Sequence, residues 1–128
     1  MAASAEAPND DADTVASPAT ARSISNAVAR LHKQFVGRGP KNTTTTLGPD
    51  LVVCVLEGGL TVAEQTLAGT RRHDLVTAQR VGLREAMREA MVAAVEEVTG
   101  RRVRSYMSAT DHDVMLQTEI FLLFPEVQ

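Results

Sequence analysis

Three groups of residues in this chain have types and spacing that could do chemistry. The first is FVGRGPKNTTTT at residues 35–46, where Arg38 and Lys41 stand among glycines and hydroxyls. Glycine lets backbone approach an oxyanion closely, and Arg and Lys pair with its oxygens. With Arg101 added as a third cation, Arg38, Lys41 and Arg101 make a candidate anion patch. Phosphate loops, however, place their glycines before a helix, so that its N-terminal amides face the anion. Here the glycines follow a helical pattern, at the end where the dipole favours cations and a left-handed glycine caps the chain. Capping accounts for Gly37 and the dipole for the cations, so the anion patch is carried as the alternative reading.

The second group is Asp111, His112 and Asp113, two carboxylates and an imidazole in three residues. A metal would need a further ligand from elsewhere, and strand alternation would send neighbours to opposite faces. A polar turn between two strands accounts for the triplet, and no metal site is expected. The third is Cys54 with His73 and Asp74. Cys54 lies inside the apolar run LVVCVLEG, where a cysteine acts as a small buried hydrophobe. Asp74 fits the first turn of a helix, and nothing in the spacing assembles a nucleophile with its base. No catalytic residue, and so no enzyme, is expected.

Composition excludes other functions. The chain has 128 residues, 3% aromatic and no Trp, which leaves no stacking platform for single-stranded nucleic acid. The net charge of −3 is misleading, because Glu6, Asp10, Asp11 and Asp13 lie within the first twenty residues, which contain no Lys or Arg. The remainder is close to neutral and is not drawn to nucleic acid or anionic lipid. A lone cysteine excludes an internal disulfide, and no apolar run approaches the roughly 20 residues of a membrane span. The expected location is cytoplasmic, and no cofactor is implied.

The positioning elements follow from periodicity. Residues 1–21, rich in Ala, Ser, Pro and Asp, read as a disordered tail, and residues 22–124 as one domain. Ser23 is placed to cap a helix with Ile24, Ala27, Val28, Leu31 and Phe35 on one face. Strands follow at Thr43–Leu47 and Leu51–Glu57, separated by the turn Gly48-Pro49-Asp50. Thr61 and Glu64 have capping-box spacing and start a short helix. A long helix runs from about Thr70 to Thr99, with a stripe of Leu83, Met87, Ala90, Met91, Ala94 and Val98, and Gly100 ends it. A final hairpin spans Val103–Ala109 and Val114–Phe124. The order α-β-β-α-α-β-β predicts a two-layer α+β sandwich, an antiparallel four-stranded sheet with helices on one face.

GRGPK after an amphipathic helix, the run LVVCVLEGGLTVAEQTLA, and a long helix ending EEVTGRRVRSYMSATD together resemble the MpsC-like domain family over about residues 22–123. The matching motif positions include Gly37, Arg38, Gly39, Pro40, Glu57, Gly58, Thr61, Glu64, Gly100 and Arg101. The resemblance implies a small cytoplasmic, non-enzymatic accessory or regulatory protein of a Na+-translocating, membrane-potential-generating system linked to bicarbonate supply. Its implied partner is a membrane transporter subunit.

The last expectation concerns self-association. In the final strand Val114, Leu116, Ile120, Leu122 and Phe124 share one face, read as the core side, while Met115, Gln117, Glu119, Phe121 and Leu123 share the other. A sheet covered on one face leaves the second to water or a partner. A homodimer through the sheet is therefore expected, with Phe121 and Leu123 near its centre.

Overall fold

The computed structural model describes residues 17–111 and 113–126. Helix α1 covers Pro18–Val36; Ser17 caps it, with Oγ accepting the Thr20 amide at 3.1 Å, and Pro18 fills the first turn. The helix thus begins five residues before the expected cap at Ser23, and residues 18–21 belong to it rather than to the tail; residues 1–16 lie outside the described residues. Gly37, at φ 98°, closes α1 with its amide on the Lys33 carbonyl at 3.0 Å. Strands β1 (Asn42–Gly48) and β2 (Leu51–Glu57) form the first hairpin. Helix α2 (Val62–Gly69) opens on the expected capping box, Thr61 and Glu64 each bonding the other's backbone amide. Helix α3 spans His73–Thr99, starting three residues later than expected, and Gly100 ends it in the left-handed region. Strands β3 (Val103–Asp111) and β4 (Leu116–Leu123) complete the chain.

All strand pairs are antiparallel, in the order β1-β2-β4-β3, so the two hairpins join through β2 and β4. Helices α1 and α3 pack on one face. The core lies between Ile24 and Val28 of α1, Met87, Met91 and Val95 of α3, and Val52, Cys54, Leu56, Tyr106, Phe121 and Leu123 of the sheet. The Tyr106 and Phe121 rings stack with centroids 5.0 Å apart. The predicted α+β two-layer architecture is the one observed.

The parity of β4 is the reverse of the expectation. Phe121 and Leu123 are 0% and 2% exposed beneath the helices, so they cannot centre an interface on the open face. Phe121 pairs with Val52 and Tyr106 and Leu123 with Val103 on the inward side, and Ile120 and Leu122 face outward with Val53 and Leu51. Val114 and Phe124 are not core residues: they are exposed just outside the two ends of β4. The expectation had sent Glu119 to water, but the protein supplies it with partners inside.

Candidate functional site

Beneath the helices, polar side chains from five elements form one hydrogen-bonded network. Glu119 on β4 is fully buried, and its carboxylate accepts from Tyr106 Oη, from Ser108 Oγ at 3.1 Å and from Gln117 Nε2. His32 Nε2 of α1 lies 3.4 Å from the same carboxylate and 3.4 Å from Gln117 Nε2. Gln117 Oε1 in turn accepts from Arg80 Nη1 at 3.0 Å. Arg80, on α3, forks onto Glu64 with Nε and Nη2 at 2.7 and 2.9 Å, and Nη2 also donates to the Gly59 carbonyl.

Local sequence explains each placement. His32 follows Ile24 and Val28 at intervals of four, the buried side of α1. Arg80 follows Val76 at the same interval on α3, and both are buried. Glu64 is held inward because it is the third helical residue of the capping box. Glu119 and Ser108 are cross-strand neighbours, and Tyr106 and Gln117 are each one step along the same face.

The network keeps its acids charged. Burial alone would raise the Glu119 carboxyl, yet hydrogen bonds from His32, Tyr106 and Gln117 outweigh it and hold its pKa below the ordinary value. Glu64 behaves alike: burial is opposed and overcome by Arg80 and the Thr61 amide. Tyr106 is pushed well up, by burial first and then by the facing Glu119 carboxylate, so its hydroxyl stays a donor. Two small clefts flank the Arg80–Gln117 contact. One, of about 10 Å³, is bordered by His32, Arg38, Pro40 and Gly59; the other, of about 20 Å³, by Leu60, Val76, Met115 and Thr110, whose buried Oγ1 has no protein partner. Each has room for about one water. Chemically the arrangement fixes two charged carboxylates among hydrogen-bond donors.

The expected anion patch does not converge. Arg38 borders the first cleft, and the Lys41 amide donates to the Glu57 carbonyl at 2.8 Å, both at the end of β2. Arg101 is at its start, bonding the Pro49 carbonyl, Asp50 and the Phe124 carbonyl. Seven residues of strand separate them by roughly 20 Å, too far to share one small anion. Arg101 is a buried staple; it borders a groove of about 480 Å³ with Gly100, Arg102, Phe124, Pro125 and Glu126. Cys54 is buried, accepts from Thr45 Oγ1, and its thiol is pushed up to about 11 by burial, as suits an inert core residue. Asp111 caps the turn through the Asp113 amide, while His112 lies outside the described residues. Among the described residues no group of three His, Cys, Asp or Glu side chains could hold a metal.

The loops between these elements are tightly matched. A Cβ on Gly59, whose φ is 86°, would lie 3.0 Å from Pro40 Cα and 3.2 Å from the Gly39 carbonyl. The segments after α1 and after β2 therefore pack backbone to backbone over the first cleft. A family model described as Na+-translocating membrane potential-generating system (MpsC) matches residues 18–124. The chain belongs to the MpsC family. It is also similar to the uncharacterized protein YbcI of Bacillus subtilis (strain 168), 30% identical over 84 residues, covering 65% of this chain and 68% of that protein. No solved structure matches. In this MpsC chain the motif positions fall at two ends of the sheet. Gly37, Gly39, Pro40, Glu57, Gly58, Thr61 and Glu64 surround the cleft end of β2, whereas Gly100 sits with Arg101 at the other end.

Sequence reasoning missed Arg80, Tyr106, Ser108 and Gln117 as site members and misplaced Glu119. The available signals were His32 and Arg80 on otherwise apolar helix faces, and one acid in the apolar strand LQTEIFLL.

Proposed function

We propose that the chain is a non-enzymatic accessory or regulatory component of a Na+-translocating, membrane-potential-generating system. It works as a homodimer on the cytoplasmic side, with an integral membrane subunit of the transporter as its partner. The observation that carries this reading is the family match, which spans nearly all of the described chain. No described helix is long and apolar enough to cross a membrane, so ion passage is assigned here to the partner. The test is deletion and complementation in the native host. Loss of the chain is expected to lower the Na+-dependent membrane potential read by a voltage-sensitive dye. The tagged chain is expected to co-purify with the transporter's membrane subunits after detergent extraction. An unchanged potential with no membrane subunit recovered would reject the reading.

A second reading, anion sensing, is favoured only by Arg38. Its exposed side chain stands at the mouth of the cleft next to His32 and Arg80. Titration calorimetry with phosphate and bicarbonate is expected to give a response that Arg38→Ala abolishes. Silence at millimolar concentration removes this reading.

A further inference from the structure

The helix-free face of the sheet is apolar across its centre. Cross-strand pairing lines up four rows on it: Leu51, Leu122 and Ser105; then Thr46, Val53, Ile120 and Met107; then Thr44, Val55, Thr118 and Ala109; and finally Glu57, Leu116 and Asp111. Only the last row carries charge, and it lies at one rim. Leu51 and Met107 are 36% and 47% exposed, and no described helix packs over them. Depletion of charge at the centre with polar groups at the edge is the anatomy of a protein interface.

We propose, resting on the homodimer reading above, that a second copy of this chain covers this face, sheet against sheet, with the Val53–Ile120–Met107 row at the centre. Size supports it. Strands of seven to nine residues, at ~3.3 Å per residue and ~4.8 Å between strands, give a face of about 500 Å². Two such faces together bury about 1,000 Å², where specific interfaces begin. A two-fold axis presents the same β-branched surface to itself, and two antiparallel sheets pack in this way with interleaved side chains. Other occupants fit less well. The charged rim residues Glu57 and Asp111 are acidic and repel anionic lipid. Residues 1–16 contain only Met1 and Val15 as large apolar side chains and cannot cover the face.

Light scattering on the purified full-length chain at micromolar concentration tests this, independently of any transport role. The expected mass is twice 13.7 kDa. Met107→Lys, at a position exposed enough to keep the fold, is expected to halve it, while Met107→Leu leaves the dimer intact. Circular dichroism of the Met107→Lys monomer should match wild type. A wild-type monomer overturns the proposal, and if that monomer co-sediments with phosphatidylglycerol vesicles the face belongs to lipid. A dimer that survives both Met107→Lys and Val53→Lys overturns it too, because its interface then lies elsewhere.

Discussion

Replacing Glu64 by Gln removes one charge from the network and almost nothing else. The amide oxygen can still accept the Thr61 amide at 3.0 Å, so the capping box survives. What is lost is the counter-ion of Arg80, whose side chain is 9% exposed. Breaking a buried ion pair from one side costs about 3–5 kcal/mol, because the remaining charge is left uncompensated. Gln117 and the Gly59 carbonyl still hold the guanidinium, so we expect the lower end, about 3 kcal/mol. Arg80→Met removes the guanidinium's two hydrogen bonds to Glu64, which keeps the Thr61 amide and Gln79, and leaves the Gly59 carbonyl and Gln117 Oε1 without Arg80; about 4 kcal/mol is expected. The double variant buries neither charge of this pair. It should cost about 4 kcal/mol rather than about 7, a coupling of about 3 kcal/mol. Urea unfolding followed by circular dichroism measures all four corners, with an unchanged slope showing that the folded and unfolded ensembles stay comparable. Additivity within about 0.5 kcal/mol would refute the claim that these two charges exist for each other.

Three further outcomes follow from the same contacts. Glu119 and Glu64 titrate lower when folded than their ordinary 4.5, so at neutral pH their stabilisation is complete; it fades as pH falls below 4.5, where the unfolded chain takes up protons first. Urea midpoints should therefore drop steeply on the acid side, and less steeply in Glu119→Gln; a midpoint indifferent to acid would refute the assignment. Arg101→Met should lower stability by about 2–3 kcal/mol in thermal melts by freeing the carbonyls of Pro49 and Phe124, and Arg101→Lys, which lacks the fork, should recover less than half. Gly82→Ala should raise stability by about 1 kcal/mol, since a Cβ there meets nothing within 4 Å in the middle of α3; a loss would mean that the helix needs glycine for another reason.

Local signatures were legible and long-range ones were not. Thr61 and Glu64 announce α2 three residues apart, and Gly37 and Gly100 mark helix ends, because capping is decided within one turn. Arg101 could not be read in this way. The run RRVR looks like a solvated terminus, and its partner Asp50 is 51 positions away in the turn between β1 and β2. Arg80 reads as part of a charged face until the spacing from Val76 is weighed against Glu64, which lies on another helix. Glu119 misled most, because one acid on a strand argues for the wet side unless its partners are known. Those partners come from α1 and β3 as well as from β4 itself.

The misplaced residue also explains why the structure is single-valued. Slipping β4 by one position would send Glu119 to the open face and bring Ile120 and Leu122 under the helices. By apolar content alone the two arrangements are close, since Phe121 and Leu123 would simply exchange with Ile120 and Leu122. The polar partners are not interchangeable. In the slipped register His32 and Tyr106 would remain buried, and Ser108 half-buried, without the carboxylate they converge on, and each unpaired buried group costs about 1–3 kcal/mol. The network therefore selects the register, and in doing so it decides that Ile120 and Leu122, with Val53 and Val55, are the apolar side chains turned outward. Polar contacts inside the fold thus determine the surface available to a partner.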